Sequence, residues 1–285
     1  MTGQACGITA KIIADSISPA GVRLTTMELN YHRFIHAEFM THRMFSRNAS
    51  SSRAIPVEKM VKQATAIPIY WGKNQPGMQA KEEVSHLTNV QRIWSDACFY
   101  ARGFAESLEM YDVHKQIANR LLEPFQYIKV IVTATEWDNF FKLRLHKDAQ
   151  PEICLLATCM ADVMDESTPV ELQPGEWHLP MGIGSSLEDR IKTSVAACAR
   201  VSFNNHDGSN RSVEKDISLH SILLNNGHMS CFEHQLTPMT MEELDRSQKA
   251  SSYIGKQAFF RANFNRWTSY RWMIENNINN YIIVG

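Results

Sequence analysis

The sequence predicts an α+β fold, and three features of it carry the prediction. Two β-rich stretches, Val22–Asn30 and Ile128–Thr133, have the alternation or β-branching of strands. A much longer interval, about residues 80–108, repeats apolar residues at three- and four-residue steps, as a packed helix does. No regular strand–helix alternation links these segments, which argues against a doubly wound parallel sheet.

In chain order, the strand at 21–31 is followed by a helix expected over Arg33–Arg43, then by a serine-rich loop ending at Pro56. Residues 68–77 (Tyr70-Trp71-Gly72, Gln75-Pro76-Gly77) read as a loop. The stripe Val84, Leu87, Val90, Trp94, Ala97, Cys98, Ala101 and Ala105 marks the long helix. A further helix is expected over Asp112–Leu122, stopping before Pro124 because proline restricts its predecessor. Helical spacing resumes over Trp137–Asp165, with Pro151 as a break or a new first turn. Residues 166–186, rich in Pro and Gly, form a possible internal connection within one domain spanning 1–285. Helices are expected at Ser186–Arg200 and Val213–Asn225, the second capped by Asn226-Gly227.

Bulk properties narrow the functional classes. The chain has 285 residues, 44% of them hydrophobic and 21% charged, which is ordinary for a soluble globular protein. A net charge of −1 provides no global field for nucleic acid, so any anion site must be local. No apolar run approaches the ~20 residues that span a bilayer, and the start lacks a basic-then-apolar leader pattern. The cysteines, at 6, 98, 154, 159, 198 and 231, show no metal-ligand spacing and read as reduced thiols. These features suggest a cytoplasmic protein, or one of the host cytoplasm if viral, with no metal, nucleic-acid or membrane partner.

Three segments carry chemistry. Residues 41–53 hold three arginines, one histidine, four serines and an asparagine. Planar guanidinium forks with short hydroxyl donors suit a phosphate, although a solvated polar loop has the same composition. In Asn139–Ile153 a helix would pack Phe140 and Leu143 and project Asn139 and Arg144 from one edge; an exposed amphipathic helix reads alike. Gly227–His234 contains His228, Ser230, Glu233 and His234, which could serve acid–base work, metal binding or ring recognition. The histidines are six apart, which disfavours a helical metal pair. A single-strand nucleic-acid module using Arg43, Arg47 and Arg53 with Phe45, Tyr70 and Trp71 is a different class, and the near-zero charge counts against it.

Together these segments resemble the flavin-dependent thymidylate synthase family (ThyX). Its Arg-His-Arg signature, followed after seven residues by Ser-x-Arg, is similar to Thr41-His42-Arg43 and Ser51-Ser52-Arg53, with Asn48 in place. Leu143-Arg144 and Ala149-Gln150-Pro151-Glu152-Ile153 match a second family segment. Ala199-Arg200-Val201-Ser202 with residues 227–234 match a third, and Arg120 in Arg120-Leu121-Leu122-Glu123-Pro124 matches the arginine of an Arg-x-x-Leu-Pro-like stretch. The third segment precedes the signature in the family but follows it here, so the motif order looks circularly permuted.

The resemblance implies long helices on a mainly antiparallel sheet and reductive methylation of dUMP to dTMP. FAD would be the cofactor, with NADPH and methylenetetrahydrofolate as co-substrates. By the same implication Ser51, Ser52, Arg53 and Arg120 hold the nucleotide, and Arg144 contacts its pyrimidine, with Arg144 and Ser51 as the catalytic pair. His42, Arg43, Asn48, Asn139, His228, Ser230 and Glu233 line the flavin site. A homotetramer with sites at subunit interfaces is implied as well. Three departures stand out: Thr41 for arginine, Glu38 for a common glutamine and Ala49 for a common glutamate. Glu38 could accept a hydrogen bond from a cytosine amino group, so dCMP as substrate, or a hydroxymethylated product, is an alternative. A non-catalytic nucleotide- or nucleic-acid-binding relative is another.

Overall fold

The computed structural model describes residues 6–202, 209–249 and 260–278. Its centre is a five-stranded sheet of β1 (Thr9–Ile17), β2 (Arg23–His32), β3 (Ser46–Ala49), β4 (Tyr127–Ala134) and β5 (Val170–Glu171). The spatial order is β3-β4-β2-β1-β5. β1–β2, β2–β4 and β3–β4 pair antiparallel, and only the short β1–β5 contact is parallel. The expected α+β class and mainly antiparallel sheet are both observed.

Alternation along the strands divides the core into two layers. Met27, Leu29 and Tyr31 of β2 and Val130 and Val132 of β4 face one side. There they meet Phe39, Phe45, Phe140, Ile153, Leu156 and Met160. Ile131, one step out of phase, faces the other side with Ile191, Val195, Cys198, Phe232, Tyr270 and Met273. The first layer is built from α1 (His36–Met40), α5 (Asp138–Arg144) and α6 (Pro151–Glu166). The second comes from α7 (Leu187–Arg200), α8 (Val213–Asn225) and α10 (Tyr270–Glu275). Thus the C-terminal segments cover the sheet face that the earlier helices leave bare.

A buried polar row helps to fix that second layer. Ser16 Oγ lies 2.9 Å from His178 Nδ1, and His178 Nε2 lies 2.7 Å from Thr26 Oγ1. Thr26 Oγ1 is 2.7 Å from Thr133 Oγ1, which is 2.8 Å from His234 Nδ1. The row crosses β1, β2 and β4. Burial lowers the pKa of both histidines to about 3, so they are neutral links.

The remaining elements are α2 (Val57–Val61), α3 (Leu87–Met110), α4 (Lys115–Ala118) and α9 (Met241–Lys249). Two small ladders join them: β6 (Leu236–Pro238) pairs with β9 (Trp267–Ser269), and β7 (Phe260–Arg261) with β8 (Phe264–Asn265).

Several boundaries differ from expectation. β1 has weak alternation and was not foreseen. The helix expected over 33–43 is a 3-10 turn (Arg33–Ile35) followed by the short α1. Arg47 Nη1 terminates it by donating to the Phe39, Met40 and His42 carbonyls at 3.2, 3.1 and 3.0 Å. Within the expected serine-rich loop, residues 46–49 form edge strand β3, because β4 supplies a pairing partner that local composition cannot reveal. Residues 80–86 precede α3 instead of belonging to it. Pro124 lies inside a 3-10 turn (Asn119–Phe125), where the helix was expected to have ended. The break at Pro151 is a new first turn: Gln150 caps α6 by accepting from Ile153 N at 3.1 Å.

Candidate active site

The polar segment 41–53 is pinned at three places, and each brings in a different distant residue. Its first anchor is His42, buried between aromatic rings, with Phe140 edge-on at 4.9 Å and Phe45 at 5.9 Å. Arg144, at the end of α5, donates from Nε to His42 Nε2 at 2.9 Å. Burial, then the neighbouring Arg144 and Arg47 cations, lowers the His42 pKa to about 4. His42 is therefore neutral at physiological pH and presents a lone pair to Arg144. The half-buried guanidinium is held by one nitrogen, which leaves its other N–H groups for an external acceptor.

The second anchor is the turn after β3. Asn119, fully buried, donates from Nδ2 to Ser52 O at 2.8 Å and Ile55 O at 2.9 Å. Ser51 Oγ accepts from Arg53 N at 3.3 Å. Ser52 Oγ donates to Glu123 Oε1 at 3.1 Å, and Arg120 Nη1 donates to the same oxygen at 2.8 Å. The predicted phosphate residues Ser51, Ser52, Arg53 and Arg120 are thus gathered by one turn and one 3-10 segment. Ser51 and Arg53 are exposed.

The third anchor joins β3 to the C-terminal block. Asn48 Nδ2 donates to Cys198 O at 2.8 Å, and Ser230 Oγ donates to Asn48 Oδ1 at 2.8 Å. Cys198 O also accepts from Val201 N at 3.1 Å, so Asn48 completes the C-terminal cap of α7. Val201 closes that helix in the left-handed region, at φ 54°, an uncommon conformation for a β-branched residue. At the end of α8, Gly227 has φ 68°, and His228 N donates to Leu223 O at 2.9 Å. This is the foreseen glycine cap, and it carries the chain into the 3-10 turn Met229–Glu233. Glu233 pairs with Arg271 at 2.5 Å.

Arg43, Asn139 and His228 are exposed, and none of their side chains bonds to another described residue. Glu38 is half-buried, and among the described residues its carboxylate has no hydrogen-bond or ion-pair partner. It does not pair with Arg43. Thr41 Oγ1 donates to Glu38 O at 2.7 Å and supplies no charge. Among the described residues no group of His, Cys, Asp and Glu could hold a metal, and no helix is long and apolar enough to cross a membrane. Cys6, Cys98, Cys154, Cys198 and Cys231 are free thiols.

Sequence reasoning missed Asn119, Glu123, Arg33 and Arg271. The one available signal was Glu123, a carboxylate standing in the Arg-x-x-Leu-Pro-like stretch where the family has leucine.

A family model described as thymidylate synthase complementing protein (Thy1) matches residues 17–170, more than half of the chain. The chain belongs to the Thy1 family. Membership assigns a function of the flavin-dependent thymidylate synthase type, as the motifs implied. The Thy1 match runs from the end of β1 to the start of β5 and contains the 41–53 segment, Arg120 and Arg144. The block at 199–234 lies beyond it, yet Asn48 accepts directly from Ser230 of that block. No significant match to an individual curated protein is found.

Proposed function

We propose that this Thy1-family chain catalyses reductive methylation of dUMP to dTMP, with FAD as cofactor and NADPH and methylenetetrahydrofolate as co-substrates. The observation that carries the reading is the pairing of Arg144 with neutral His42. A fixed cation with spare donors suits negative charge developing on a pyrimidine ring, and it is oriented before substrate arrives. Ser51, Ser52, Arg53 and Arg120 would bind the phosphate.

The exposed residues also fit a flavin nucleotide. Arg43, Asn139 and His228 offer a cation, an amide and an imidazole not committed within the described chain. They would hold FAD, with Asn48, Ser230 and Glu233 setting the wall behind them; bound there, FAD would supply the redox chemistry. Within this division of labour Arg144 orients the ring and stabilises its charge, while His42 keeps Arg144 in place without adding charge.

The same reading includes a homotetramer. In support, Ile93, Phe99, Tyr100, Phe104 and Met110 of α3 are exposed, apolar side chains that a neighbouring subunit would cover. Native mass spectrometry showing only monomer would remove this part of the proposal.

Absorbance of the purified protein after FAD addition, followed by turnover with mass identification of the nucleotide product, tests the whole reading. Protein that gains no flavin spectrum and forms no dTMP would sink it. A second reading, dCMP as substrate or a hydroxymethylated product, is favoured by Glu38, whose carboxylate is free to accept from an amino group. It requires product from dCMP, and loss of that preference in Glu38→Gln.

A further inference from the structure

Glu123 Oε1 accepts three side-chain donors: Arg33 Nη2 at 2.8 Å, Arg120 Nη1 at 2.8 Å and Ser52 Oγ at 3.1 Å. The three come from separate parts of the fold. Arg33 opens the 3-10 turn before α1, Ser52 lies on the turn after β3, and Arg120 sits on the same 3-10 segment as Glu123. Two guanidinium groups repel each other unless an anion lies between them. Here one carboxylate does so, and the directly bonded charges still sum to about +1, from two cations and one anion.

Each guanidinium donates through one nitrogen only, and neither has another partner among the described residues. Arg120 is 53% exposed and Glu123 26%, so an incoming anion can reach the cluster. Arg33 is 17% exposed and more firmly held. A phosphate monoester offers three oxygens to donors that now crowd onto one, which is a better match for two planar forks.

We propose that Arg33 is a further phosphate-binding residue, and that Glu123 is an internal anion holding Arg33 and Arg120 in position until a nucleotide phosphate takes them over. The proposal rests on the nucleotide reading above and adds two residues to it. One chain would then supply Arg33, Arg120 and Arg53 around the phosphate. With Glu123 these sum to a charge of about +2, the complement of a monoester dianion.

The test compares FAD-supplemented wild-type protein with Arg33→Ala, Arg33→Lys and Glu123→Gln. Equilibrium binding is measured for dUMP and dCMP and for the corresponding deoxynucleosides, together with the thermal shift given by inorganic phosphate. Arg33→Ala should weaken monophosphate binding about tenfold or more and leave nucleoside binding unchanged, since a charge-assisted bond to the phosphate is lost. Arg33→Lys should fall between, keeping charge without the fork. Glu123→Gln should tighten monophosphate binding several-fold, because the competing anion is removed.

If wild type binds dUMP or dCMP and Arg33→Ala binds it within twofold of wild type, Arg33 is a structural clasp and the proposal falls while the nucleotide reading stands. Nucleoside and nucleotide affinities falling together would also overturn it. Glu123→Gln binding no tighter than wild type would remove Glu123's part and overturn the proposal as stated. Wild type that binds neither nucleotide, yet is stabilised by inorganic phosphate in an Arg33-dependent way, would support the anion cluster and overturn the nucleotide reading instead.

Discussion

Arg144 and His42 divide a task that neither side chain performs alone. The arginine carries the charge, and the histidine, enclosed by Phe45 and Phe140, gives it a direction. On the proposed function, Arg144→Ala should lower kcat for dTMP formation by about 10²–10³-fold. Its melting temperature should match wild type within a degree or two, because the side chain is only half-buried. Unchanged turnover would show that the ring is bound elsewhere. His42→Phe should preserve the packing but remove the acceptor, and we expect a smaller loss, about tenfold, in kcat with little change in KM for the nucleotide. A pH profile gives an independent readout. With its pKa near 4, His42 should contribute no acid limb near pH 6.5, where an exposed histidine titrates.

At the scale of elements, Asn48 joins the 41–53 segment to the C-terminal block. This side chain in β3 caps α7 and receives Ser230, so an edge strand and a segment ~150 residues later form one surface. Asn48→Ala removes one of the two donors to the Cys198 carbonyl and the acceptor of the exposed Ser230 hydroxyl, and should cost about 0.5–1.5 kcal/mol of stability. Chemical denaturation measures this; a loss below a few tenths would mean that the C-terminal block is held by apolar packing alone. The same elements show which parts of the site could be read from sequence. Helices α5, α6, α7 and α8 announce themselves by spacing and caps, and they carry Arg144, Glu152, Arg200 and the approach to His228. Strand β3 does not, because its four residues are polar and become a strand only against β4. Asn119 was equally hidden, since its role depends on meeting the turn at 52–55.

For the whole molecule, the row Ser16–His178–Thr26–Thr133–His234 links the sheet to its C-terminal cover and makes the fold sensitive to acid. His178 and His234 have folded pKa values near 3, against 6.5 for the unconstrained side chain. Between these values the unfolded chain takes up protons that the folded chain refuses. Stability should therefore be unaffected by these groups above about pH 6.5 and fall below it, by up to ~1.4 kcal/mol per pH unit for each histidine. Urea midpoints at pH 7.5 and 5.0 check this. Equal midpoints would show that the row stays intact with its histidines charged, or that acid-sensitive contacts elsewhere oppose it.

By itself, the sequence determined the α+β class, the family, and the residue types available for chemistry: Arg144, Arg120, His42 and the serines of 51–52. Those follow from local signals, namely apolar periodicity, capping residues and motif spacing, all written within a few turns of chain. Tertiary structure decided which of these residues meet. It paired Arg144 with His42 across ~100 positions, brought Arg33 and Arg120 onto Glu123, and set Ser230 of the third motif against Asn48. The physical reason is that burial and hydrogen-bond satisfaction act on neighbours in space, and only the assembled sheet with its two covering layers defines those neighbours.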